Sequence, residues 1–205
     1  MSVLGGLPGS GVVADTGVEG WWLVGGSEDE PGQVLAGPFP ERAEAGWSAA
    51  ALADGAAARP AYGIRRADGS LRRRPSPQEW AWLDHLTAQL DRLPEDWRPL
   101  LAEEDPLTTL LVEVTAALGE AGLPLHDAAG GSGALGGACL TPTPELDGVV
   151  VAWRQHDRMS VDQVHGTAAD GAVQMAMNRA LAEVLAARGL EPEAWGAAVV
   201  VRREE

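Results

Sequence analysis

GVVVAWR (148–154), a helix-forming stretch that runs to Arg188, and WGAAVVVR (195–202) together decide how this chain folds. In the first, Val149 and Val151, with Val150 and Trp153 alternating, suit a strand buried on both faces. Ser160 can cap the helix. Gly166 and Gly171 weaken its first turns, so Thr167 is a second candidate start. Its expected buried stripe is Val161, Val164, Ala168, Val173, Met177, Leu181 and Val184, and Gly189 stops it. Strand, helix and strand predict a β-α-β crossover, right-handed if its strands are parallel. Just upstream, ACLTP (138–142) can pair with 148–154 as a hairpin across TPELD.

Further upstream the pattern turns helical. SPQEW (76–80) carries a full start signal, with Ser76 as cap, Pro77 at the first helical position and Glu79 three residues after the cap. Trp82, Leu83, Leu86, Leu90 and Leu93 form its apolar stripe. Asp105-Pro106 opens a second helix through Leu107, Leu110, Leu111, Val114 and Leu118, and Gly122 ends it. The short connection predicts an antiparallel pair. Before these helices, GWWLVGG (20–26) and QVLAG (33–37) read as a hairpin. A helix with Ala45, Ala49 and Leu52 on one side follows, ending near Gly55, and AYGIRR (61–66) returns as a strand.

The expected class is therefore α+β, with mixed sheet segments at both ends and helices packed on them. The order is β-β-α-β, a helical pair, then β-β-α-β. The corresponding segments are a flexible leader (1–19), a small module (20–74), the helical pair (75–122) and a second module (123–205), which can form one compact domain with the pair.

Composition bounds the options. The chain has 205 residues, 45% of them hydrophobic, which is enough for a core. No apolar run approaches the ~18 residues a spanning helix needs, so no membrane partner is expected. Every one of the 15 basic residues is arginine, a composition typical of high-G+C bacterial genomes. Without lysine, Schiff-base chemistry and a P-loop are closed. The single cysteine excludes an internal disulfide and fits a reducing cytoplasm. The N-terminus lacks the pattern of a secretory signal. Net charge is −15, so direct nucleic-acid binding is not expected. The one basic segment is 59–74, net +5.

Each candidate site competes with a plainer explanation. GGSGALGG (130–137) sets Gly131, Gly133 and Gly136 in G-x-G-x-x-G order, but the prolines that follow preclude the helix a dinucleotide site requires. No cofactor is expected. Cys139 has His126-Asp127 and His156-Asp157 on either side in sequence. A cysteine nucleophile needs a histidine to take its proton and a third group to orient the ring. Cys139 with His126 or His156, and Asp157, is thus the catalytic alternative; a small structural cysteine is the commoner role. His126, His156 and His165 with Asp127 and Asp157 match no metal-ligand spacing, so no metal is expected either.

RRADGSLRRR (65–74) reads as a hairpin tip whose guanidinium groups meet phosphate or an acidic partner, or neutralise acidic segments of the same chain. Eight tryptophans stand against one phenylalanine and one tyrosine. Trp21 and Trp22 point to opposite faces of a strand, and Trp80 and Trp82 lie about 200° apart on a helix, so one of each pair is either exposed or covered by a second layer. Trp22, Trp80, Arg72, Arg73 and Arg74 are the expected partner-binding residues. The expected function is non-catalytic: an accessory or regulatory protein that binds another protein, with homodimerisation compatible. The alternatives are a small Cys139 hydrolase or transferase, and an acidic decoy for a nucleic-acid-binding protein.

Overall fold

The computed structural model describes residues 15–26, 32–52, 58–94, 105–130, 135–160 and 167–202. The chain divides into two compact units, residues 1–81 and 82–205. Each carries one four-stranded antiparallel sheet, and the class is α+β.

In the first unit, β1 (Asp15–Gly25), β2 (Val34–Phe39), β3 (Ala58–Arg66) and β4 (Leu71–Arg73) lie in the order β2-β1-β3-β4. β1 starts at Asp15, ahead of the GWWLVGG stretch, and β4 is an extra strand inside the arginine-rich segment. Helix α1 (Arg42–Ala51) packs on β1 and β3. Both adjacent tryptophans are buried, Trp21 at 7% and Trp22 at 4% exposure. Trp21 packs edge-on against Tyr62, beneath the Arg42 guanidinium. Trp22 lies on the other face with Val24, Ala61 and Leu71, and its Nε1–H donates to the Gly63 carbonyl at 3.0 Å. Both rings are buried, so neither of the pair is the exposed one.

Helix α2 (Pro77–Leu90) begins with the expected reciprocal cap. The Glu79 amide donates to Ser76 Oγ at 3.2 Å, and the Ser76 amide donates to Glu79 Oε2 at 2.6 Å. Its apolar stripe is not a core seam, since only Gln89 is buried. Nor does it pair along its length with α3 (Pro106–Glu120), which packs instead on α4, β5 and β6. Trp82 and His85 reach α3 at Gly119, where a Cβ would stand 3.3 Å from the Trp82 ring. Polar bonds fasten the far end: the Leu125 amide donates to Gln89 Oε1 at 2.9 Å, and Arg92 Nη1 donates to the Leu125 carbonyl at 3.1 Å.

The second sheet holds β5 (Gly137–Thr143), β6 (Gly148–Arg154), β7 (Pro192–Trp195) and β8 (Ala198–Arg202) in the order β5-β6-β8-β7. Helices α3 and α4 (Thr167–Ala187) pack on the face carrying Leu140, Val149, Val151, Val199 and Val201. Ser160 ends a 3-10 turn (Asp157–Ser160) and does not cap α4. Both helix stops are the glycines expected. Gly122 and Gly189 have φ +74 and +83. Leu123 and Leu190 reach back to the carbonyls of Leu118 and Leu185 at 2.9 and 3.1 Å, the six-residue closure of a Schellman cap. The expected β-α-β crossover needs a correction. β8 runs antiparallel to β6, and the strand that returns parallel to β6 is β7, with β8 inserted between them. PEAW is four residues long and contains Pro and Glu, so it lacks a strand signature.

β6 outruns β8. The two pair only from Gly148 to Val151, which leaves Trp153 past the end of the ladder. Two side chains of α4 stand in for the missing strand. The Trp153 amide donates to Asn178 Oδ1 at 3.0 Å, and Gln174 Nε2 donates to the Trp153 carbonyl at 2.6 Å. Asn178 Nδ2 also donates to the Ala197 carbonyl in the β7–β8 turn. The sheet-facing row of α4 is therefore Gln174, Asn178, Leu181 and Leu185, amide at one end and apolar at the other; Val173 is exposed.

Two substitutions test these devices. Asn178→Leu strips partners from Trp153 and Ala197 and should cost about 1–3 kcal/mol in chemical denaturation, with Asn178→Asp, which keeps the acceptor, losing less. Ser76→Ala should cost about 1 kcal/mol. The bonds from Ser76 hold the Glu79 carboxyl below its ordinary value of 4.5. Its contribution is present above that pH and fades as pH falls through the lowered value, so the gap between wild type and Glu79→Gln should close in acid.

Candidate functional site

The segment before β5 runs alongside it. Leu125 and Ala138 form a parallel bridge, and the His126 amide donates to the Ala138 carbonyl at 2.9 Å. This brings His126 and Cys139 into the lining of one small cavity of about 130 Å3, with Leu93, Pro94 and Thr141. His126 is buried, and its Nδ1 lies 3.0 Å from the Leu135 carbonyl. A carbonyl only accepts, so Nδ1 carries a proton and donates it there. Among the described residues Cys139 Sγ makes no hydrogen bond, and burial pushes its pKa up, against a smaller opposing pull from Arg154. A nucleophilic cysteine requires the reverse.

His156 is outside that cavity. It is exposed at the end of β6, and its Nδ1 accepts the Arg158 amide at 3.0 Å, a local turn bond. Asp157 pairs at the surface with Arg154 at 3.4 Å. The structure thus joins Cys139 to His126 and separates both from His156 and Asp157. Asp127 holds the Gly130 amide at 2.7 Å, as a turn residue does. No group of three potential metal ligands occurs among the described residues. His165, Gly131, Gly133 and Trp97 lie outside them.

The arginine segment is the hairpin expected, closed by a turn in which Asp68 accepts the Ser70 amide at 2.9 Å and hydroxyl at 2.7 Å. Those bonds lower the Asp68 pKa. Strand alternation divides the guanidinium groups. Arg65 and Arg73 share the pleat face of Leu71 and Trp22, while Arg72 shares the opposite face with Ile64. Arg65, Arg66, Arg72 and Arg73 each make an interaction within the protein. The segment is not a single five-fold cluster.

The tryptophans sort differently from expectation. Trp22 is sealed and offers no docking surface. Trp80 is 55% exposed. Sequence reasoning missed Trp47, which at 72% is the most exposed tryptophan described. The signal was present: Ala45 is the core contact of α1, and a residue two positions on lies about 200° around the helix. Ala43, Ala50 and Ala51 share that outward side with Glu44 at its border, so the solvent face of α1 is one large ring among mostly small residues.

The second unit also holds a cleft of about 710 Å3 that no sequence feature announced. One wall is α3, from Pro106 through Glu113 to Ala117; the other is the α4–β7 turn, Arg188 to Glu191, with Arg202. No protein-family model, curated protein or solved structure matches this chain.

A test of the cavity follows from the raised thiol pKa. Labelling of Cys139 by a thiol reagent at pH 7 should run at least tenfold slower than labelling of a free peptide thiol, accelerate only above the ordinary thiol range, and show no step near the histidine pKa.

Proposed function

We propose that this chain is a non-catalytic accessory or regulatory protein that works by binding another protein. The observation that carries this reading is the outward face of α1. Only Ala45 of this helix is buried, on the side that meets the sheet. The other side leaves Trp47 in solvent among alanines, and an exposed aromatic in a small-residue surround is the anatomy of an interface anchor. Glu44, three residues before Trp47, borders that face, so the complementary partner surface is apolar around the ring itself rather than throughout. Trp80, at the start of α2, is a second exposed tryptophan. The raised pKa of Cys139 supports a non-catalytic role over thiol chemistry. The single cysteine and the absence of a membrane-spanning helix among the described residues fit a cytoplasmic setting.

The test is affinity capture from nuclease-treated host lysate, with Trp47→Ala, Trp80→Ala and a triple alanine variant of Arg72, Arg73 and Arg74. One stoichiometric partner should be retained by wild type across low and high salt, because an apolar contact resists screening. Trp47→Ala should weaken it at least tenfold while leaving unfolding stability within about 0.5 kcal/mol. Light scattering on the pure protein distinguishes a second copy of the chain from a different partner. Absence of any captured protein at either salt would sink the reading.

A further inference from the structure

The cavity beside β5 contains a buried backbone donor and acceptor that the fold leaves open. Ala138, Cys139, Leu140 and Thr141 all line it. Consecutive strand residues alternate between faces, so a single small cavity touching all four runs along the edge of β5. At Ala138 that edge is already taken: its amide donates to the Pro124 carbonyl and its carbonyl accepts the His126 amide, both at 2.9 Å. In an antiparallel ladder the peptide groups of residues two apart face the same side. Leu140 therefore turns its N–H and C=O away from β6 and toward the cavity. The 124–126 segment no longer follows β5 there, because the Ala128 amide turns back to the His126 carbonyl at 3.0 Å. Neither group of Leu140 has a partner among the described residues, although the residue is 1% exposed. Buried backbone groups are almost always bonded, so this pair calls for an occupant that brings one acceptor and one donor.

The protein meets the same demand elsewhere. At Trp153, past the end of β8, side-chain carboxamides take the place of a strand: Asn178 Oδ1 accepts the amide and Gln174 Nε2 donates to the carbonyl. A primary carboxamide carries both the acceptor and the donor on one plane. The rest of the cavity sets the body attached to it. Leu93, Pro94 and Ala128 are aliphatic, the lining holds no carboxylate or guanidinium, and burial keeps the Cys139 thiol in its neutral form. A volume of about 130 Å3 is close to the ~150 Å3 of an apolar cavity that takes benzene, so about six non-hydrogen atoms fit.

We propose that this cavity binds a small neutral primary carboxamide. Its C=O accepts the Leu140 amide, its N–H donates to the Leu140 carbonyl, and its short apolar body lies against Leu93, Pro94 and Ala128. Free aliphatic amides and the Asn or Gln side chain of a partner protein share this chemistry.

The experiment titrates the full isotope-labelled chain with isobutyramide at pH 7 and follows the backbone amide resonances by NMR. Saturable binding in the millimolar range, in keeping with so few atoms, should move the Leu140 amide resonance. 3-Methyl-2-butanone keeps the shape and the acceptor but lacks the donor, and should bind at least tenfold more weakly. Isobutyrate, which is charged, should not bind detectably. Ala128 is exposed at the rim of the cavity, and Ala128→Leu should abolish isobutyramide binding. Ala186→Leu, on the exposed side of α4, should leave it within twofold. Thermal unfolding confirms that both variants fold. Equal binding of amide and ketone would reduce the cavity to an unselective apolar void and overturn the proposal. So would isobutyramide binding that leaves the Leu140 resonance unmoved or survives Ala128→Leu. Lysate capture then separates the sources. If Ala128→Leu also loses the Trp47-dependent partner, the carboxamide belongs to that partner's Asn or Gln; if the partner is retained, the ligand is a free small amide. Failure of isobutyramide to bind overturns the cavity proposal and leaves the interaction reading as it stands.

Discussion

The backbone of Trp153 sets the terms for the second unit. Its amide and carbonyl face the side of β6 where β8 has already ended, and buried peptide groups left without partners cost more than most single contacts return. Gln174 and Asn178 supply the missing bonds. Because both come from one helix, they fix the rotation and height of α4 over the sheet. Leu181 and Leu185 then fall into the core, and Gly189 closes the helix where the chain must turn into β7. Gln155 extends the same arrangement: it is 8% exposed and donates to the Asp170 carbonyl at 2.8 Å. The wall formed by Arg188 to Glu191 stands where it does because α4 is held at that height.

The first unit solves a different problem. Two successive tryptophans on one strand point to opposite faces of the sheet, and both are buried. Helix α1 takes the Trp21 side, using small residues to come close. A helix so rich in alanine has little to bury, and its largest side chain faces outward. The surface that most resembles an interface thus arises from the helix that contributes least bulk to its own core.

What was legible in the sequence was local. The Ser76–Glu79 cap, the Asp105 cap and the glycine stops at 122 and 189 depend on residues two to five apart, and each forms as read. GVVVAWR was legible because β-branched alternation suits only a strand. What was not legible depends on distant segments. Gln174 and Asn178 look solvent-facing until the short reach of β8 is known. β7 has no strand signature and exists because β8 offers it an edge. The stripe on α2 gave no warning that its burial would be slight, since period reports a face and not what meets it. At the candidate sites, the sequence supplied Cys139 and His126 as residue types, and only the Leu125–Ala138 bridge brought them together.

The strand order β5-β6-β8-β7 has a kinetic corollary. β5–β6 and β7–β8 are each hairpins between neighbours in sequence, closed by short turns whose formation costs little chain entropy. The two hairpins join along one seam, β6 against β8, and the intervening chain includes the whole of α4. Zipping that seam is the step with the largest loop to close, and Asn178, bonded to Trp153 on one side of it and to Ala197 on the other, spans it like a clasp. The rate at which this unit assembles is thereby tied to a single non-local junction, while its local pieces are free to form early and independently.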